Sequence, residues 1–203
     1  NEEQTSIETR WSDAGCPQAW GAASEPPADS LRNVQEVTVP LNPAGAFVPV
    51  RRIGGRTGWY FGNFLWKIRG FIDLMTGGVG MRRGRPDPEV PIPGRTLDFW
   101  RVQHYEPARR LQLLAEMRLP GRAWLEFRAE PQGPSTKLRQ IAYFEPHGLL
   151  GLIYWYLLMP IHAIMFRKML RNIAMAAVKN VALPTQAGSP RTVTPGAPRA
   201  VTP

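Results

Sequence analysis

The sequence predicts an α+β domain in which a curved antiparallel sheet closes round one long C-terminal helix. Three observations predict it. From Leu149 to Phe166 the chain is apolar almost throughout, and it then turns amphipathic and basic as far as Lys179. Between Thr96 and Glu145, alternating segments are joined by short turns such as Pro120-Gly121 and Gly133-Pro134, the pattern of an antiparallel meander. One strand and two short helices precede them. Strands do not alternate with helices, so a parallel doubly wound sheet is excluded.

Taken in order, Asn1 to Arg32 is rich in Pro, Ala, Ser and Glu and reads as a disordered leader, with Trp11 and Trp20 available to dock on the body. The folded body is expected over 33–181, followed by a disordered Pro/Thr/Arg tail over 182–203. Val34 to Val39 alternates and suits a strand. Asn42 is a helix N-cap and Pro43 a first helical residue, which starts a helix that Gly54-Gly55 ends. An aromatic loop, Gly58 to Gly62, leads to a helix over Phe64 to Met75, with Leu65, Ile68, Phe71, Ile72 and Met75 on one side and Gly77-Gly78 as the stop. Val79 to Arg83 suits a short strand. Thr96 to Tyr105, Arg110 to Leu119, Ala123 to Glu130 and Lys137 to Glu145 are the meander.

Pro146 and Gly148 punctuate the start of the last helix, and Pro160 should kink it. Its first half is apolar on every side, so it is buried either in protein or in lipid. Gly148 to Phe166 spans about 28 Å at ~1.5 Å per residue, close to a bilayer core of ~30 Å. Pro160, His162 and the amphipathic continuation through Phe166, Met169, Leu170, Ile173 and Ala177 favour a helix buried in the protein. Membrane association through 149–166 stays open as the alternative, beside a cytoplasmic location.

Charge is uneven. Residues 1–36 carry −5 and residues 37–203 carry +14, for a net +9. A basic body favours anionic partners, but the arginines form no compact block of the kind that marks a nucleic-acid site. One cysteine, Cys16, excludes an intramolecular disulfide and a thiolate zinc site.

No catalytic motif is present: there is no G-x-S-x-G and no Cys-His pairing. Gly78-Val79-Gly80-Met81-Arg82-Arg83-Gly84 misses the dinucleotide spacing and follows a helix. His104, His147 and His162 are too dispersed for a metal site. Glu116 and Glu126 lie on neighbouring strands, where an inward pair would suit acid–base work. Their register places them opposite Leu113 and Leu125, which favours solvent-facing carboxylates. Arg82, Arg83 and Arg85, with Arg51, Arg52 and Arg56, form the densest basic cluster and the candidate anion-binding site. Asp98, Arg101 and Gln140 are the other polar strand residues able to line a cup. The candidate ligand-binding wall is Leu111, Leu113, Met117, Leu125, Phe127, Leu138 and Phe144 from the sheet, with Tyr154, Leu158 and His162 from the helix.

The order β-α-α-β(n)-α resembles the helix-grip fold of START-like (SRPBCC) lipid-transfer domains, plant pollen allergens and polyketide cyclases. Particular stretches are more specific: Gly58-Trp59-Tyr60, Leu97-Asp98-Phe99-Trp100-Arg101-Val102, Ala115-Glu116-Met117-Arg118-Leu119-Pro120-Gly121-Arg122-Ala123-Trp124-Leu125-Glu126-Phe127 and Phe144-x-Pro146-x-Gly148-Leu149-x-Gly151-x-x-Tyr154-Trp155-Tyr156. These resemble an uncharacterised bacterial domain family over about Ile7 to Val178. That family follows an NAD(P)-binding, short-chain-dehydrogenase-like domain in the same polypeptide, and the absent initiator Met fits such a C-terminal piece. The family resemblance implies this context and not a mechanism; the expected function is a helix-grip module that binds an apolar small molecule or lipid beside an NAD(P)-binding partner domain. No cofactor is expected in this chain; NAD(P) would sit upstream. A cyclase- or aromatase-like reaction within the cavity is the enzymatic alternative.

Overall fold

The computed structural model describes residues 25–75, 77–78, 85 and 87–182. In chain order the elements are β1 (Leu31–Val39), α1 (Pro43–Arg51), α2 (Asn63–Met75), β2 (Thr96–Leu97), β3 (Trp100–Glu106), β4 (Arg110–Ala115), β5 (Gly121–Gln132), β6 (Ser135–Pro146) and α3 (Gly148–Ala182). The strands make one antiparallel sheet in the order β1-β6-β5-β4-β3-β2. The chain thus returns from β6 to pair with β1 before α3 crosses the sheet. This is the helix-grip arrangement. The short strand read over Val79 to Arg83, the leader before Glu25 and the tail beyond Ala182 lie outside the described residues.

Alternation decides the two faces, because successive side chains on a strand point opposite ways. Leu111, Leu113, Leu125, Phe127, Leu138, Ala142 and Phe144 share the inner face, through pairings such as Leu113↔Leu125 and Leu125↔Ala142. The single strand expected over Thr96 to Tyr105 is in fact two. Asp98 turns the chain back with φ 55°, and Leu97 pairs with Trp100. A clasp holds that turn: the Asp98 carboxylate accepts from the Trp59 indole at 3.0 Å and from the Gly55 amide at 3.2 Å. A register shift between Val102 and His104 then brings Tyr105 to the same face as Val102.

Asn42 caps α1, its side chain accepting from the Gly45 amide at 2.8 Å. The loop after α1 is tied to α3 by Asn172, whose amide donates to the Tyr60 carbonyl at 2.7 Å. That loop delivers α2, whose stripe of Phe64, Phe71, Ile72 and Met75 is exposed. What α2 buries is Trp66, Gly70 and Asp73. Asp73 accepts from the Arg118 amide at 2.7 Å and so holds the end of α2 against the chain beyond β4.

α3 runs through Pro160 without a break. Its second half is core: Met165, Phe166, Met169, Leu170, Ile173 and Ala177 are buried together with Leu111, Leu113, Phe127 and Leu138. The expectation of a helix swaddled along its whole length needs correction. Leu149, Leu150, Ile153, Tyr156, Leu157, Ile161 and Ile164 are exposed. Only one side of the first half touches the sheet. Trp155 stacks on Phe144 at 5.6 Å and 6°, and Gly151 lies on the backbone of Pro120 and Pro146.

A Cβ on Gly151 would sit 2.4 Å from the Pro120 carbonyl oxygen and 2.8 Å from Pro146 Cα, where no side chain can give way. Gly151→Leu should therefore lower stability by about 2 to 3 kcal/mol. The check is the midpoint of urea unfolding against the wild type, with the slope unchanged.

Candidate functional site

A part-enclosed cleft of about 220 Å³ lies between α2, the first half of α3 and the inner face of the sheet. Trp100, Ala123, Ala142 and Phe144 form its floor, and Met117 and Leu119 close one side. Leu65, Trp66, Ile68, Arg69 and Ile72 come from α2; Tyr154, Trp155, Leu158, His162 and Met165 come from α3. Two aromatic groups hold it open. At one wall Trp59, Trp66, Phe99 and Trp100 pack with centroids 5.4 to 5.9 Å apart. At the other, Phe144 meets Tyr154 and Trp155 at 5.7 and 5.6 Å and props α3 over the sheet.

The polar groups in the lining are few. His162 stacks on Phe166 at 5.4 Å. Burial, helped by the positive charge of Arg69, pushes its imidazole below the usual 6.5, so it is neutral at neutral pH. Arg69 donates to the Arg118 carbonyl at 2.9 Å. The indole N–H groups of Trp66 and Trp100 are buried and meet no acceptor in the protein. The lining is otherwise apolar, with Arg69 as its cationic group, which suits an apolar occupant that ends in an acceptor.

Of the ten residues expected to hold a ligand, the structure brings five together round the cleft: Met117, Phe144, Tyr154, Leu158 and His162. The other five, Leu111, Leu113, Leu125, Phe127 and Leu138, lie in the closed core with at most 1% exposure, under the second half of α3. Alternation finds the inner face but not which end of it the helix covers. Trp66, Arg69, Trp100, Ala142 and Trp155 line the cleft and were missed. The signal available was that Trp100 and Ala142 alternate in phase with Ala115 and Phe144.

The anion-binding candidates fare differently from one another. Arg82 and Arg83 lie outside the described residues. Arg85 is directed inward, donating to the carbonyls of Asp87, of Arg51 at 2.5 Å and of Ile53 at 2.7 Å. It thereby caps the carbonyl end of α1.

The sequence matches a family described as "Protein of unknown function (DUF2867)" over residues 28–169. The chain belongs to that family. No curated protein matches it. Among solved structures it is similar to protein MLL2253 from Mesorhizobium loti, at 13% identity over 75% of this chain and 100% of that one, with a TM-score of 0.43. It is similar to norcoclaurine synthase from Thalictrum flavum at 8% identity over 75% and 90%, TM-score 0.45. It is also similar to protein TTHA0849 from Thermus thermophilus at 10% identity over 73% and 98%, TM-score 0.42.

In this DUF2867 domain the two strand glutamates do not form a pair, and they are not the solvent-facing groups expected. Both are buried, and they are paired with different arginines. Glu116 is bonded to Arg101, whose Nη1 also donates to the Gly94 carbonyl at 2.6 Å. Glu126, on the outer face, has no exposure and is bonded to Arg128 and, at 3.2 Å, to Arg110. Burial works against the Arg110 charge, but its bonds to Glu25 and Glu126 prevail and hold its pKa above the ordinary value. Gln140 is buried on the inner face with no partner for either side-chain polar atom. Among the described residues no group of three His, Cys, Asp or Glu is placed to hold a metal.

His162 has a thermodynamic signature. Its pKa in the fold lies below 6.5, so as pH falls through 6.5 the unfolded chain takes up a proton that the folded chain refuses. Stability should fall from pH 6.5 downward until the lowered value is passed. In His162→Gln this part of the pH dependence should vanish, read as the difference in urea midpoints between neutral and mildly acid pH. Separately, Glu126→Ala should cost about 2 kcal/mol. A buried ion pair broken on one side costs more, but Arg110 and Arg128 reach water and recover part of it. Thermal unfolding at neutral pH checks this.

Proposed function

We propose that this domain binds an apolar small molecule or lipid in the cleft between α2 and α3, as an accessory to an NAD(P)-binding, short-chain-dehydrogenase-like domain in the same polypeptide. One observation carries the ligand: a part-enclosed, aromatic-walled space of about 220 Å³ has an apolar lining with few polar groups, Arg69 and His162 among them. Ligand sites are mostly apolar with a few placed polar groups. The space is smaller than the roughly 300–1,000 Å³ of usual small-molecule sites. The occupant is thus a compact molecule, or one end of a longer one whose remainder leaves through the mouth. The upstream NAD(P) partner is supported by the sequence resemblance, and no residue of the cleft is given a redox role.

The test uses decanoate, which joins an apolar body to a carboxylate acceptor. In methyl spectra of methionine-labelled protein, saturating decanoate should shift Met117 and Met165, which line the cleft. Ala142→Trp fills the floor and should abolish the shifts. Absence of any shift, together with native mass spectra free of retained small molecules, overturns the reading.

A further inference from the structure

The outward faces of α2 and of the first half of α3 invert the usual rule for a helix packed on a sheet. On α2 the large apolar residues Phe64, Phe71 and Met75 are 72%, 62% and 74% exposed. On α3, Leu150 and Leu157 are 73% and 72% exposed. The most apolar 18 residues of this helix have a mean hydropathy of 1.8, yet only 22% of them are buried. Isolated exposed leucines need no explanation, but apolar stripes on the two helices that flank one cleft mark an interaction surface.

The charges round this surface select its partner. α3 contains no Asp or Glu, and the one carboxylate of α2, Asp73, is buried against the Arg118 amide. The exposed stripe of α3 passes within about two turns from Ile164 into Arg167, Lys168 and Arg171, all exposed. α2 adds the exposed Lys67. An apolar stripe with a cationic border is the pattern of a helix lying in the plane of an anionic membrane surface. A second copy of this chain would set one cationic border against another. A spanning helix is excluded by packing, since Trp155 is stacked on Phe144, Gly151 rests on Pro120, and the helix beyond Met165 is core.

We infer that this domain docks on an anionic lipid bilayer through α2 and the first half of α3, which lie in the interface and do not cross it. The inference does not depend on what fills the cleft. The cleft does open between the same two helices.

The experiment is co-sedimentation of the full chain with vesicles of phosphatidylcholine alone and with equimolar phosphatidylcholine and phosphatidylglycerol. The wild type should sediment with the anionic vesicles and release at high salt. The triple variant Phe71→Glu, Leu150→Glu, Leu157→Glu should lose about tenfold or more of that partitioning. These side chains are outside the cleft lining, so the variant should keep its circular dichroism and the decanoate shifts of Met117 and Met165. Three results would overturn the inference. The wild type could stay in the supernatant with both vesicles. The folded variant could sediment as well as the wild type. Light scattering could show a dimer that the triple variant dissociates, which would assign the face to a second copy.

Discussion

The structure depends on the seating of the second half of α3 on the inner face of the sheet. Met169, Ile173 and Ala177 have no exposure there, and Met165, Phe166 and Leu170 have little. Each large side chain so buried contributes about 1.5 to 3 kcal/mol. A helix is stiff over this length, so fixing residues 165–177 sets the direction of 149–164. The first half therefore follows the sheet towards its end and is carried past the core that anchors it. The gap beneath it is the cleft, and Phe144 with Trp155 sets its height.

α2 is attached by a different kind of force. Its larger apolar side chains face outward, and its hold on the body is mostly polar. The Asn63 side chain accepts from the Trp59 amide, Arg69 donates to the Arg118 carbonyl, and Asp73 accepts from the Arg118 amide. Trp66 is the one large apolar side chain it buries. Hydrogen bonds position a helix without consuming its apolar stripe, so the stripe remains for another surface. The same arrangement leaves Trp66 to serve as one wall of the cleft.

Much of this was legible in the residues. Asn42 and Pro43 announced α1, Gly77 stopped α2, and the alternation from Leu111 to Ala115 and from Leu138 to Phe144 named the inner face. The split of Thr96 to Tyr105 was not legible, because nothing local says that Asp98 will take a positive φ. The reason is tertiary: Trp59 and Gly55 donate to its carboxylate. The cleft was half legible. Periodicity identifies a face, but Leu113 and Phe144 share one face and differ in what covers them. The exposure of Leu150 and Leu157 was not legible either, since an apolar helix reads alike whether protein, lipid or water surrounds it. The burial of Glu126 on the outer face rests on Arg110 and Arg128, and strand alternation is silent about such ion pairs.

The wet leucines of α3 also bear on the energetics of the whole domain. The heat capacity of unfolding and its sensitivity to denaturant both scale with the apolar surface newly brought into contact with water. Here Leu149, Leu150, Leu157, Phe64, Phe71 and Met75 are already hydrated before the chain opens. For its length and hydrophobic content, the domain should have a shallow stability curve, with a broad maximum and a gentle decline towards both cold and heat.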